Sequence, residues 1–303
     1  MPAGILLVDK PKGPTSHDVV ERIRRALPRG TRVGHTGTLD PLATGLLILC
    51  VGAATRLARF LAGLDKEYLA TIRLGVATDT YDADGTVLEQ HPVPELSEAR
   101  LIEVLEPLAG RRGMVPPPFS AKKRGGERLY RAARRGAPVA VEPVEVTIHK
   151  LELAGFGGET VDLRVHCSAG TYVRALAHEL GQALGCGGHL LALRRTRVGE
   201  FQDSQATALG PLEAGLRGGQ IDRYLLPPEA AMPQLPELTL DGEALKKVTH
   251  GGDIEAPARG ALPPNGLVRL LAGAGELVAV AECRAGPAGR PHLHPVVVLV
   301  QKP

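Results

Sequence analysis

Apolar and polar positions along the chain follow two rhythms, one of period two and one of period 3.6, which predict strands and helices interleaved through most of its length. Ile5, Leu6, Leu7 and Val8 form an apolar run that turns charged at Asp9 and Lys10, a first strand. Residues 18–27 set Val19, Val20, Ile23 and Leu27 on one helical face, with Ser16 placed to cap the helix. The run Leu46-Leu47-Ile48-Leu49-Cys50-Val51 is short and bounded by Gly45 and Gly52, which suits a buried strand. A short helix is expected over 54–64, and 66–74 alternates as a strand with one buried face. Residues 97–108 read as a helix capped by Ser97, with Leu101, Ile102, Leu105 and Leu108 inward. Two further strands, over 139–153 and 159–168, precede a helix over 175–184 that buries Leu176 and Leu180. A strand over 191–199 closes the sheet.

The pattern changes near Leu225-Leu226-Pro227-Pro228, with Pro233 and Pro236 following, so a boundary is expected there. Beyond it lies a small unit of short strands and turns, including 266–271 and 295–300. A chain of 303 residues has room for two domains at ~150 residues each. With 44% hydrophobic and 23% charged residues, the composition is that of a globular protein, and no apolar run approaches the ~18 residues needed to span a bilayer. The N-terminal stretch has neither the basic start nor the cleavage site of a secretory signal, so a cytoplasmic protein is expected.

Four cysteines, at 50, 167, 186 and 283, are too few and too scattered for a disulfide framework. Cys186 and His189 have the spacing of half a metal site, but no second pair stands near them. Asp79-Thr80-Tyr81-Asp82-Ala83-Asp84-Gly85 resembles a calcium loop only at its start, since the closing glutamate is missing, and reads as a polar hairpin. The net charge of +3 is mild, so its distribution matters more than its sum. Residues 116–136 are the most basic stretch, where Arg124, Arg128, Arg131 and Arg135 share a face at helical spacing. Such a stripe can track phosphates or simply be a solvated face.

The stretch with most chemical promise is Gly34-His35-Thr36-Gly37-Thr38-Leu39-Asp40-Pro41, which holds one carboxylate on a turn stiffened by Pro41 and shaped by Gly34, Gly37 and Gly45. Taken alone, Asp-Pro is also a common turn starter, Tyr68 an ordinary strand aromatic and His35 an ordinary loop residue.

The whole string closely resembles the catalytic motif of pseudouridine synthases, in the version of the branch containing the bacterial tRNA pseudouridine synthase B (TruB) family and eukaryotic dyskerin. Asp9-Lys10-Pro11-Lys12-Gly13-Pro14-Thr15-Ser16 resembles that family's first motif, which packs beside the catalytic loop, and Thr171-Tyr172-Val173-Arg174 resembles another. The resemblance implies an α+β pseudouridine synthase fold, with a mixed, mostly antiparallel sheet over 1–229, a basic RNA-clamping insertion over about 114–137, and a PUA-like RNA-binding β-barrel over 235–303. It implies that Asp40 is the reacting carboxylate, that Arg174 pairs with it, and that Tyr68 lies beneath a flipped base. Tyr172 and Leu193 then wall the uracil pocket, and His35 enters the RNA loop. Lys122, Arg124, Arg128, Arg131 and Arg135 of the insertion grip the RNA.

The substrate so implied is the T-arm stem-loop of tRNA, modified at the uridine conventionally numbered 55 by a monomer without cofactor, metal or obligate protein partner. Two other readings remain: a guide-dependent, dyskerin-like enzyme, and a non-catalytic protein that binds or folds RNA.

Overall fold

The computed structural model describes residues 2–119, 142–256, 262, 265–285 and 290–299, together with the backbone of Lys123–Arg124 and Glu127–Arg128. Ten strands make the large sheet: β1 Gly4–Lys10, β2 Val33–His35, β3 Thr44–Val51, β4 Lys66–Leu74, β5 Gly110–Met114, β6 Val144–Gly157, β7 Thr160–Cys167, β8 Gly188–Val198, β9 Phe201–Gln202 and β10 Thr207–Ala208. Their order is β10-β1-β3-β8-β4-β7-β6-β5, with β2 beside β3 and β9 beside β8. Only β10 with β1 and β3 with β8 run parallel; the other pairs are antiparallel. The strand expected to close the sheet is therefore at its centre: β8 bridges β3 and β4, bringing residues from distant parts of the chain side by side.

Among the described residues the α-helices are α1 Ser16–Ala26, α2 Ala58–Ala62, α3 Glu98–Leu105, α4 Val173–Ala183, α5 Leu209–Arg217 and α6 Gly242–Thr249. Thr15, not Ser16, caps α1 through a capping box with Asp18. Ser16 is buried, and its hydroxyl donates to the carbonyl of Leu39 (3.2 Å) while accepting from the Leu39 N–H (2.8 Å). The helix start is thus tied to the loop bearing Asp40. The helix expected over 54–64 is a 3-10 stretch, Gly52–Leu57, running into the short α2. In α3 the buried stripe is Leu101, Val104 and Leu105, which leaves Ile102 52% exposed, a quarter turn or so away from the core.

Both faces of β1 and β3 are buried, which accounts for the unbroken apolar run of β3. Leu6, Val8, Leu47 and Leu49 point into the core shared with α1 and α5, while Ile5, Leu7, Leu46 and Ile48 pack on the opposite face with Leu271, Leu277, Val280 and Leu299. Leu271, Leu277 and Val280 belong to a second, five-stranded sheet, made of β11 Glu237–Thr239, β12 Ile254–Glu255, β13 Leu267–Leu271, β14 Leu277–Ala285 and β15 Pro291–Val298 in the order β11-β13-β14-β15-β12, and Leu299 directly follows its last strand. Arg56 and Arg59 add hydrogen bonds to the carbonyls of Val298 and Val296. Burying both faces of β1 and β3 gives the Asp40 loop, which feeds directly into β3, a rigid base.

Within the basic stretch, Lys123–Arg124 pairs antiparallel with Glu127–Arg128. Arg124 and Arg128 therefore belong to a hairpin and do not share a helical face. The side chains of Lys122, Arg124, Arg128, Arg131 and Arg135 lie outside the described residues. Among the described residues, no helix is long and apolar enough to cross a membrane.

Candidate active site

Asp40 is presented by the loop between β2 and β3, which is anchored along its whole length. The Thr36 N–H donates to Ile48 O (3.1 Å), the Ala43 N–H to Asp40 O (3.0 Å) and the Gly13 N–H to Pro41 O (2.9 Å). Lys10, fully buried, donates through Nζ to the carbonyls of Pro11 (3.0 Å), Pro14 (2.8 Å) and Pro41 (3.4 Å). Burial brings the Lys10 amine down to about 8, against the opposing pull of Asp40. Of the three glycines around the loop, only Gly45 has a positive φ, +93°. A Cβ there would lie 2.3 Å from the carbonyl oxygen of Arg195, so this glycine lets β3 close on β8.

Arg174, the second residue of α4, uses its guanidinium in four contacts. Nε lies 2.9 Å from Asp40 Oδ2 and Nη1 3.3 Å from Asp82 Oδ2. Nη1 and Nη2 also donate to the carbonyls of Thr80 and Phe119, each at 3.0 Å. The side chain is 7% exposed, and so is that of Asp82, whereas Asp40 keeps 38% of its side chain open to the cavity. Burial raises the Asp40 carboxyl above its usual range, Arg174 pulls it back, and the like charge of Asp82 pushes it further up. The arginine therefore restrains, without cancelling, the cost of placing a carboxylate here.

Asp40 and Arg174 line a cavity of about 260 Å³ with Tyr68, Tyr172, Leu193, Lys66 and Arg195. Tyr68 comes from β4, Leu193 and Arg195 from β8, and Tyr172 is the residue at the start of α4. Tyr68 is the direct cross-strand partner of Arg195. Burial pushes its phenol up while Arg195 opposes. Arg195 is 2% exposed and donates to Leu46 O (2.7 Å) and Gly37 O (3.2 Å). Burial also brings Lys66 down to about 8.

Five of the residues named from the sequence thus meet around one cavity: Asp40, Tyr68, Arg174, Tyr172 and Leu193. His35 does not line it; it sits at the end of β2, half-buried, with its Nδ1 buried and unpartnered, and burial holds its pKa low. The sequence reading missed Asp82 and Arg195. Asp82 was hidden in what reads as a polar hairpin, although its carboxylate also accepts from the Thr80 hydroxyl (2.6 Å) and the Asp84 N–H (3.1 Å). Arg195 was hidden by its neighbours Arg194 and Arg197, yet strand alternation alone puts it on the same face as Leu193.

A larger open cleft of about 1070 Å³ lies on the second sheet's unit, lined by residues of β11, α6 and β12, among them Asp241, Lys246, Lys247 and His250. Among the described residues its lining has no arginine or tyrosine and nothing resembling the arrangement at Asp40.

The profile described as the TruB family pseudouridylate synthase N-terminal domain matches residues 24–173, and that of the tRNA pseudouridylate synthase B C-terminal domain matches 174–233. The chain is 44% identical over 283 residues to tRNA pseudouridine synthase B of Azoarcus sp. (strain BH72), covering 93% of this chain and 92% of that one. It is 44% identical over 308 residues to the protein of the same name from Thermobifida fusca (strain YX), covering 98% and 99%. Among solved structures, a chain of a Cbf5-Nop10-Gar1 complex superposes with a TM-score of 0.76 at 28% identity, covering 98% of this chain and 85% of that chain. Identity and coverage of this order, on top of the cavity around Asp40, establish that the chain belongs to the TruB family of pseudouridylate synthases and is an isomerase.

Proposed function

We propose that this chain isomerises the T-loop uridine of tRNA conventionally numbered 55 to pseudouridine, acting alone in the cytoplasm. The observation that carries the reading is the ion pair of Asp40 and Arg174 on the wall of a cavity that also holds Tyr68. The bond between ribose C1′ and uracil N1 breaks, the base turns within the pocket, C5 joins C1′ and loses its proton, and N1 takes one up, so that substrate and product are isomers. Asp40 serves as the group that attacks C1′ or removes the C2′ proton, and either role needs it ionised. Arg174 favours that form and fixes its direction.

Drawing a uridine out of its stack costs a few kcal/mol, less where it already lies in a loop. Tyr68 offers a face for the extruded base, with Tyr172 and Leu193 as the remaining walls. Because burial pushes its phenol up, Tyr68 is protonated at neutral pH, and it helps the C5 proton depart by hydrogen bonding. His35, beside the cavity, is assigned to the RNA loop that the target uridine leaves.

RNA grip is assigned to the basic insertion through Lys122, Arg124, Arg128, Arg131 and Arg135, and to the unit over 235–303, read as PUA-like. Phe119, whose carbonyl binds Arg174, joins the insertion directly to the catalytic ion pair. A stretch this basic favours a monomer that holds tRNA itself over a guide-dependent enzyme. The test is tritium release from a T-arm RNA labelled at uracil C5, using the purified chain alone. Release by the parent and none by Asp40→Asn is expected. No release by the parent on bare tRNA overturns the standalone reading, and release by Asp40→Asn overturns the assignment of the aspartate.

A further inference from the structure

Tyr81 has a φ of +63°, in the left-handed region that bulky side chains avoid. The other non-glycine residue with a positive φ among the described residues is Asn265, of a type that tolerates this conformation. Tyr81 lies between the two groups that hold the lower half of Arg174: the carbonyl of Thr80, 3.0 Å from Nη1, and the carboxylate of Asp82, 3.3 Å from Nη1. The conformation of this one residue therefore sets both contacts. A backbone held where its side chain is disfavoured needs a contact to keep it there.

That contact is visible. The Tyr81 ring stacks on the imidazole of His178, with centroids 3.9 Å apart and planes 5° from parallel. His178 lies on α4 four residues after Arg174, so the two side chains leave the same face of the helix. One helix grips the turn twice, through a guanidinium on its polar groups and an imidazole on its ring. Burial keeps His178 neutral below its ordinary pKa, and its Nδ1 is buried without a partner, so the ring is held by packing rather than by a hydrogen bond at that nitrogen. The turn is further pinned to β8, with the Leu190 N–H donating to Tyr81 O and the Ala83 N–H to Leu190 O, each at 3.0 Å.

We propose that the stacked pair of Tyr81 and His178 is a positioning device for catalysis, holding the turn in the one conformation that points Arg174 Nε at Asp40. Neither ring touches the reacting atoms. Both act through Arg174, and the inference rests on the role given to Arg174 above. Orientation errors of about 1 Å at a reacting group cost up to ~10²-fold in rate, which sets the scale of effect expected.

The experiment measures single-turnover rates on a T-arm RNA, with RNA Kd and the thermal midpoint of each variant. Tyr81→Gly removes the ring and also relieves the backbone, so the fold is spared. It is expected to lose about tenfold or more in rate with Kd and midpoint close to the parent. Tyr81→Phe, which restores a ring, is expected to recover most of that loss. His178→Ala reads the same device from the helix side, independently of any effect of Tyr81→Gly on folding.

The decisive arm is the Arg174→Ala background. A device acting through Arg174 gives no further loss there on adding Tyr81→Gly, whereas a merely structural role costs the same factor in both backgrounds. Equal loss in both, or parental rates for both Tyr81→Gly and His178→Ala, overturns the inference. If Arg174→Ala itself turns over at the parental rate, the role of Arg174 fails and this inference fails with it. If Arg174→Ala is slow while the two ring variants are not, only the inference fails.

Discussion

Two buried guanidinia line the same cavity, and they are balanced in different ways. Arg174 faces two carboxylates, Asp40 and Asp82, and two backbone carbonyls. Arg195, as deeply buried, donates to the carbonyls of Leu46 and Gly37, and among the described residues no carboxylate is ion-paired with it. The difference separates two uses of one side chain. Matched by acids, a guanidinium opposes the rise that burial gives the Asp40 carboxyl. Matched by carbonyl dipoles, it braces β8 against β3 and the Asp40 loop, and lends positive potential to Tyr68.

The largest effect should come from Asp40→Asn, which keeps shape but removes the charge that Arg174 serves. Turnover is expected to fall by more than about 10⁴-fold, measured as pseudouridine formed under single-turnover conditions. Its thermal midpoint should stay at or above that of the parent. A carboxyl whose folded pKa is raised costs stability as pH rises from its unfolded value through the folded one, and the amide removes that cost.

The two arginines should also differ in what their loss costs the fold. Arg174→Met leaves Asp82 without its counter-charge and Asp40 with Lys10 alone, and should cost about 3–5 kcal/mol in chemical denaturation at neutral pH. Arg195→Met orphans only carbonyls and should cost about 1–3 kcal/mol. Equal costs would mean that the two arginines are balanced alike after all. A smaller effect is expected in the pH profile of Asp82→Asn. Removing the like charge eases ionisation of Asp40, so the acid limb of the rate should move to lower pH, even where the maximum rate drops. A limb that moves up, or not at all, breaks the assignment of Asp82.

Much of this was written in the chain. The alternation over β4 and the apolar run of β3 carried the strands, because burial on one face or both leaves a direct trace in residue order. Asp40, Arg174 and Tyr172 were legible through their motifs, and the cavity joins them. The cap of α1 was misassigned by one residue because the hydroxyls of Thr15 and Ser16 are equally able acceptors, and only the contact of Ser16 with Leu39 separates them. The central place of β8 was not legible either, since sheet order depends on pairings across long stretches of sequence. Asp82 and Arg195 were missed for the same reason: a buried charge looks like any surface charge until its partners are known. Tyr81 gave no sign of its left-handed backbone.

The account turns on Asp40 being kept ionised by Arg174, and the most direct measurement is the pH dependence of the single-turnover rate for the parent and for Arg174→Ala. Loss of the guanidinium leaves burial and Asp82 unopposed except by Lys10, so the carboxyl holds its proton to higher pH. The acid limb of Arg174→Ala should therefore lie at higher pH than that of the parent. Superimposable limbs, with only the plateau lowered, would contradict the account.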